Sequence, residues 1–285
     1  MAILPQARIG TDKPLSAEPI ELVSIDLDGT LLRPDGTVGA RSAAALEAAT
    51  AAGLKVVLNT GRAPRGIRAV YHALGLKTFV ITHNGALVTD PCHGDAIIEH
   101  ITLPGAVAWQ AIGIARREAP KVSVGVDVLG RCITDNADPR VFAERTLVDR
   151  PVVAARFDVC MSKPVTKLLL VGDADELGGV QMALLEQLKG QISFAFSHQS
   201  LLQVVSPRAD KGAGLATVAR YYRVPQQRVM AIGDAPNDLP MLRWAGLSVA
   251  MGNGWHDARQ TAQFVVASND DDGVAEAIRR YVLMR

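Results

Sequence analysis

The chain has 285 residues, 48% of them hydrophobic and 21% charged, a composition and length that bury roughly 70% or more of the unfolded surface and exclude wholesale disorder. At about 150 residues per domain, that length points to two domains. Thirty Lys and Arg against twenty-nine Asp and Glu leave a net charge of +1, too small a field to gather nucleic acid or an anionic membrane, so any anion must be held locally.

In chain order, residues 1–19 contain Pro5, Pro14 and Pro19 and no apolar run of signal-peptide length, and are expected to form a mobile tail. Leu22–Ile25 is an apolar run ending in an acid. The Ala-rich stretch Arg41–Ala52 reads as a helix stopped by Gly53, and Lys55–Leu58 is a second apolar run. Strand, helix, strand is the pattern of a parallel sheet. Pro64 can open a helix through Ala73, and Phe79–Thr82 reads as a third strand. The middle differs. Ile97–Leu103, Val122–Val128, Lys167–Gly172, Ile192–Phe196 and Leu201–Val205 are β-rich, with helical patterns at Ala106–Glu118 and Leu177–Leu188. From Ala213 the α/β style returns: Leu215, Val218, Ala219 and Tyr222 make one apolar helix stripe, and strands are expected at Val229–Ile232, Leu247–Ala250 and Phe264–Val266. The expected organisation is a discontinuous α/β core, 20–86 and 200–285, interrupted by an α+β domain at 87–199.

Chemistry concentrates where these apolar runs end. In Ser24-Ile25-Asp26-Leu27-Asp28-Gly29-Thr30 a strand delivers two carboxylates to its C-terminal edge, where open α/β sheets bind ligands. Two such groups repel unless a cation or proton intervenes, which points to a divalent metal; an Asx turn with incidental charge is the alternative. An EF-hand loop needs Gly at its sixth place and Glu at its twelfth, where Leu31 and Thr37 stand. Asn59-Thr60-Gly61-Arg62 offers a hydroxyl and backbone N–H groups suited to a phosphate, although Thr-Gly alone is an ordinary turn. Asp210-Lys211-Gly212 puts an ammonium at a helix start. Gly233-Asp234-Ala235-Pro236-Asn237-Asp238 repeats the strand-to-acid junction, with a second acid one helical turn on.

Taken in this order, the four motifs resemble the haloacid dehalogenase superfamily, and more closely its Cof-type phosphatases, which carry a large C2-type cap after the third core strand. The resemblance covers about residues 20–285 and includes Thr82-His83-Asn84-Gly85-Ala86 at the core-to-cap junction and Asp271-Asp272-Gly273-Val274 before the last helix. It implies a Rossmann-like three-layer α/β core with an inserted α+β cap, and hydrolysis of phosphomonoesters. By the same resemblance, Asp26 is the nucleophile that becomes an aspartyl phosphate, and Asp28 the acid and then the base. Mg²⁺ is held by the Asp26 carboxylate, the Asp28 carbonyl and Asp234. Thr60, Gly61, Lys211 and Asn237 bind the phosphoryl group, Asp238 supports the metal or orients Lys211, and Asn84 marks the substrate side of the cap junction. The expected partner is a small phosphorylated metabolite, a sugar phosphate or phosphorylated cofactor precursor, with no nucleic acid and no membrane. A sugar phosphomutase and a non-catalytic metabolite-binding regulator are the rival readings.

This chain departs from the family in having Ala235 where Gly is usual, which raises the question of whether the turn tolerates a Cβ, and Gln203 where Glu is usual. Cys92, Cys132 and Cys160 are too scattered for a disulfide framework or a zinc site, so a reducing cytoplasm is expected. His83 and His198 read as surface or packing residues, Arg62, Arg65 and Arg68 as a solvated stripe, Lys163, Lys167 and Arg131 as solvated charges, and Trp109, Trp244 and Trp255 as packing residues. Asn269–Asp272 reads as helix capping. Gly252-Asn253-Gly254 lacks the third glycine of a dinucleotide fingerprint.

Overall fold

The computed structural model describes residues 18–135, 152–153, 157, 162–198 and 200–283. The expected tail therefore lies almost wholly outside the described residues, as does Cys160, and the side chain of His198 is not described. The chain divides into two compact units: residues through Val57 with those from Ala219 onward, and Leu58–Val218.

In chain order the strands are β1 (Leu22–Ile25), β2 (Lys55–Leu58), β3 (Val80–Thr82), β4 (Leu87–Asp90), β5 (Ala96–His100), β6 (Ser123–Val128), β7 (Arg131–Thr134), β8 (Val152–Val153), β9 (Lys167–Val171), β10 (Ser193–His198), β11 (Leu201–Val205), β12 (Val229–Gly233), β13 (Leu247–Ala250) and β14 (Phe264–Val265). The α-helices are α1 (Ala40–Ala51), α2 (Arg68–Ala73), α3 (Gly105–Glu118), α4 (Ala174–Gln187), α5 (Lys211–Tyr222), α6 (Leu239–Trp244), α7 (His256–Thr261) and α8 (Gly273–Ile278). The division between units falls within β2 and α5.

The first unit is built on a sheet ordered β14-β13-β12-β1-β2, with β1, β12, β13 and β14 paired in parallel. Every residue of β1, β12 and β13 is buried, as short unbroken apolar runs must be when both sheet faces are covered. Helix α1 buries Ser42, Ala45, Leu46 and Ala49, one stripe at helical spacing, and packs on α8. Ser42 belongs to that stripe because its amide and hydroxyl donate to Asp272 Oδ1 at 3.1 and 2.8 Å. Arg33 and Arg41 donate to Asp272 Oδ2 at 2.9 and 3.2 Å. Asp272 occupies the N-cap place of α8, but with φ of 59° its carboxylate makes no cap bond and instead ties this helix to α1 and to Arg33, correcting the capping expectation.

Burial by itself would raise the Asp272 pKa. Hydrogen bonds from the Ser42 hydroxyl, from Arg41 and from the Ser42 amide, with the charge of Arg33, bring it below the ordinary 3.8. Its stabilising contribution is complete above 3.8 and is lost as pH falls through the lower folded-state value. Asp272→Ala is expected to lower stability by about 1–3 kcal/mol at neutral pH, because the Ser42 donors lose their acceptor. The deficit relative to wild type should shrink toward pH 3 in urea unfolding; a deficit independent of pH would refute this account.

The second unit holds an antiparallel sheet ordered β3-β4-β5 and a larger one ordered β10-β11-β9-β6-β7-β8. The larger sheet is antiparallel apart from the β7–β8 pair. Alternate residues of β6, β9 and β11, among them Val124, Val126, Leu168, Leu170, Leu202 and Val204, share an apolar core with α3 and α4. The single strand expected at Ile97–Leu103 is the shorter β5, which pairs with β4; β4 escaped the sequence pattern because its run is interrupted by Thr89 and Asp90. Beyond β2 the chain continues as a parallel bridge between Asn59 and Ile81. The fold is thus an α/β parallel-sheet core with an inserted α+β domain. Among the described residues, no helix is long and apolar enough to cross a membrane.

Candidate active site

In the first unit, Asp26 and Asp234 stand at the ends of neighbouring strands. Ile25 is in register with Ile232, and the Asp26 amide donates to the Ile232 carbonyl at 3.0 Å, so the parallel pairing itself sets the two acids side by side. Both are buried. Asp28, two residues on, is exposed. Between them and the rest of the loop, Gly29 has φ of +83°, a left-handed turn that an L side chain adopts at a cost. Thr30 Oγ1 donates to Asp234 Oδ1 at 2.7 Å.

Asp238 lies one turn beyond Asp234 and is fully buried. Its Oδ2 accepts from the amides of Asp234 and Ala235 at 2.8 and 2.9 Å, so it fixes the loop that presents Asp234. Asn237 is half-buried in the 3₁₀ turn Pro236–Asp238. Ala235 has φ of −117° and ψ of 168°, extended backbone that any residue adopts, which answers the question raised by its Cβ.

Further residues brace this loop cluster. Asn253 Nδ2 donates to the Gly29 carbonyl at 2.8 Å, its Oδ1 accepts from the Asn269 amide at 3.0 Å, and Asn269 Nδ2 donates to the Leu32 carbonyl at 2.7 Å. The Trp255 amide donates to the Asp234 carbonyl at 2.7 Å. Trp255 itself is exposed, not a packing residue. The only sequence signal for Asn253 was its place between two glycines.

Carboxylate oxygens of Asp26, Asp234 and Asp238 lie within 4.8 Å of one another and are buried. Buried carboxylates at that spacing repel unless a cation, a proton or hydrogen-bond donors intervene, and hard oxygen donors of this kind suit Mg²⁺, so the residues fit the metal that the resemblance implied.

In the second unit three of the four phosphate-binding candidates, Thr60, Gly61 and Lys211, lie close together, whereas Asn237 belongs to the first. Asn59 Nδ2 donates to the Lys211 carbonyl at 2.9 Å, tying the Thr60 loop to the start of α5. The Asn84 amide donates to the Thr60 carbonyl at 3.0 Å, and the Asn84 side chain lies over Gly61, where an added Cβ would come within 3.1 Å of its Oδ1. Asp210 Oδ1 accepts from the Ala213 amide at 2.8 Å and so caps the start of α5. Lys211 is fully buried. Thr60, Gly61, Asn84 and Lys211 thus belong to one cluster, and Asp26, Asp28, Asp234, Asn237 and Asp238 to another.

One charge departs from its sequence reading: Lys167 is buried, with Nζ donating to Gln203 Oε1 at 2.8 Å. His83 is buried, in keeping with a packing residue. Lys163 and Arg131 are exposed as expected, whereas Arg62 is only half-exposed and Arg68 pairs with Asp95.

A cluster of buried carboxylates at strand ends, and a second cluster with a buried lysine beside a Thr-Gly loop, are of the residue types that phosphoryl transfer uses. A family model described as haloacid dehalogenase-like hydrolase matches residues 23–278. The 5-amino-6-(5-phospho-D-ribitylamino)uracil phosphatase YitU of Bacillus subtilis is 28% identical over 267 residues, covering 91% of this chain and 97% of its own. A crystal structure of a haloacid dehalogenase-like hydrolase from Bacteroides thetaiotaomicron superposes with a TM-score of 0.81 at 30% identity, covering 92% of this chain and 99% of its own. The phosphatase BT1666 of the same organism does so with a TM-score of 0.81 at 27% identity, covering 94% and 97%. A match over most of the chain, with phosphatases among its relatives, makes this protein a member of the haloacid dehalogenase superfamily, a Cof-type phosphoric monoester hydrolase.

Proposed function

We propose that this enzyme is a Mg²⁺-dependent cytoplasmic phosphatase that hydrolyses small phosphorylated metabolites, sugar phosphates or phosphorylated cofactor precursors, by double displacement through Asp26. The observation that carries the reading is the pairing of buried Asp26 with Asp234 across β1 and β12, with exposed Asp28 two residues away. The relative named for a phosphorylated ribitylamino uracil supports the substrate class.

In the first displacement an Asp26 carboxylate oxygen attacks phosphorus, the ester P–O bond breaks, and Asp28 gives its proton to the leaving oxygen. In the second, Asp28 takes a proton from water, the water oxygen attacks phosphorus, and the bond to Asp26 breaks, releasing inorganic phosphate and restoring both side chains. The exposure of Asp28 suits a group that must meet both leaving group and water. Bound Mg²⁺, held by the Asp26 carboxylate, the Asp28 carbonyl and Asp234, would supply positive charge against the phosphoryl oxygens. Thr60, Gly61 and Lys211, with Asn237, would bind those oxygens and stabilise the charge spread over them. Asp238 would support the metal through the loop it caps. The core that carries this chemistry would be 20–86 with 200–285, and the specificity cap 87–199, with Asn84 at their junction.

The test is inorganic phosphate release from a panel of phosphorylated metabolites, with and without Mg²⁺. Metal-dependent release is expected. Folded protein that binds Mg²⁺ yet releases no phosphate from any substrate, or that accumulates an isomeric sugar phosphate instead, would overturn the proposal.

A further inference from the structure

Helix α4 of the second unit turns Leu177, Val180 and Leu184 into the apolar core that it shares with α3. Its opposite face is apolar too. Gly178, Gly179, Met182 and Leu185 stand exposed there, Met182 at 68% and Leu185 at 44% of their full accessible surface. Positions 178, 179, 182 and 185 follow the helix period, so they form one outward stripe and not a scatter of single side chains. The stripe lines a groove of about 810 Å³, together with Glu118 at the end of α3 and with Glu186 and Lys189. Two adjacent glycines inside an exposed helix weaken it relative to alanine, because glycine has more backbone freedom to lose. Nothing in their own surroundings requires them. An added Cβ would meet nothing within 4 Å at either position, and neither has a left-handed φ. What the missing Cβ atoms leave is a hollow on the helix surface, of the kind that receives a side chain from a facing helix.

The two ends of this face carry opposite charges. Asp175 stands seven residues before Met182 and Lys189 seven after it, and both are exposed. Seven residues make nearly two helical turns, so Asp175 falls in line with Met182, and Lys189, just past the helix end, borders the same groove. A second α4 laid antiparallel about a two-fold axis at Met182 satisfies every one of these features with one operation. Met182 meets its own copy, Leu185 enters the hollow at Gly179, and Asp175 faces Lys189. Glu186 falls opposite Gly178, where no like charge opposes it. Parallel packing would do the reverse, setting Asp175 against Asp175 and Lys189 against Lys189.

We propose that the outer face of α4 is a self-complementary docking surface whose occupant is the antiparallel α4 of a second copy of this chain. A two-fold contact needs a single patch that complements itself, and an apolar centre with opposite charges at its two ends meets that condition. One helix pair covers less than the roughly 1,200 Å² of a stable complex, so the dimer is weak and forms in the micromolar range. The inference goes beyond the phosphatase reading and does not depend on it.

Sedimentation equilibrium of the full chain, from low micromolar to near-millimolar concentration, is the test. The mass should rise from 30.3 kDa toward twice that value. Met182→Glu places like charges together at the axis and should weaken the dimer about tenfold or more. Asp175→Lys and Lys189→Asp should each weaken it, whereas the two reversals in one chain restore opposite charges across the axis and return the affinity to within about threefold of wild type. Gly179→Gln separates docking from folding. Glutamine favours the helix but fills the hollow, so in dilute solution this variant should melt at a higher temperature than wild type while its dimer is weakened about tenfold or more. A chain that stays at 30.3 kDa throughout, a dimer indifferent to Met182→Glu or Gly179→Gln, or a double reversal no better than either single one would overturn the proposal.

Discussion

Asp26→Asn is expected to reduce phosphate release by at least about a thousandfold, the order of loss seen when a covalent nucleophile is removed. The substitution keeps the shape of the side chain. The backbone of Asp26 is fixed independently, its amide by the Ile232 carbonyl at 3.0 Å and its carbonyl by the Leu31 amide at 3.3 Å, so the strand end should not move. What is lost is a carboxylate oxygen able to attack phosphorus and one negative charge beside Asp234. These two losses are separable. If Asp26 served only to hold a cation, raising Mg²⁺ would restore most of the rate. For a nucleophile, saturating Mg²⁺ restores little, and the acid-stable phosphoryl label that wild type acquires after rapid quenching is absent from the variant. A variant retaining a tenth or more of the wild-type rate at saturating Mg²⁺ would rule out Asp26 as the attacking group.

The sequence made these carboxylates visible because the geometry that places them is local. A short apolar run must be a buried strand, the next residue must then stand at the sheet edge, and Asp26 and Asp234 occupy that place after β1 and β12. Thr60 follows the same rule after β2. Asp127 and Lys167 were hidden for the opposite reason. Lys167 opens the run Lys-Leu-Leu-Leu-Val and looks like a charge flanking a strand, and Asp127 looks like a polar residue near a turn. Only the antiparallel register that sets them across from each other, on a face shared with Gln203, buries them.

His83 escaped likewise, since its surroundings include Gly130 at the β6–β7 hairpin, 47 residues away in the chain, where an added Cβ would stand 3.8 Å from His83 Nε2. Asp272 misled in a third way. An acid before a helix reads as a cap, but its left-handed φ turns the carboxylate to Ser42, Arg33 and Arg41 instead. Sequence periodicity carries strand ends well and long-range side-chain partners poorly, so the metal and phosphate candidates were legible and the polar row beside them was not.

Gly29→Ala should separate the demands of the backbone from those of the metal cluster. At φ of +83° an L residue costs about 1–2 kcal/mol, a penalty any left-handed position shares. The specific effect comes from space. A Cβ on Gly29 would stand 2.5 Å from Asp234 Oδ2 and 2.9 Å from its Cγ, so the carboxylate must give way. It has little room to do so, because Thr30 Oγ1 holds Asp234 Oδ1 at 2.7 Å and Asp238 holds the Asp234 amide at 2.8 Å. The expected result is a rise of about tenfold or more in the Mg²⁺ concentration needed for half-maximal activity, equivalent to about 1.4 kcal/mol of lost binding. Gly36→Ala is the matched control. Its φ is +81° and nothing lies within 4 Å of an added Cβ, so it should lose similar stability while keeping the wild-type Mg²⁺ dependence. Were both variants to need the same Mg²⁺ as wild type, Asp234 would not be a ligand whose placement matters. Were both to need equally more, the effect would belong to the backbone of the loop and not to the carboxylate that Gly29 leaves room for.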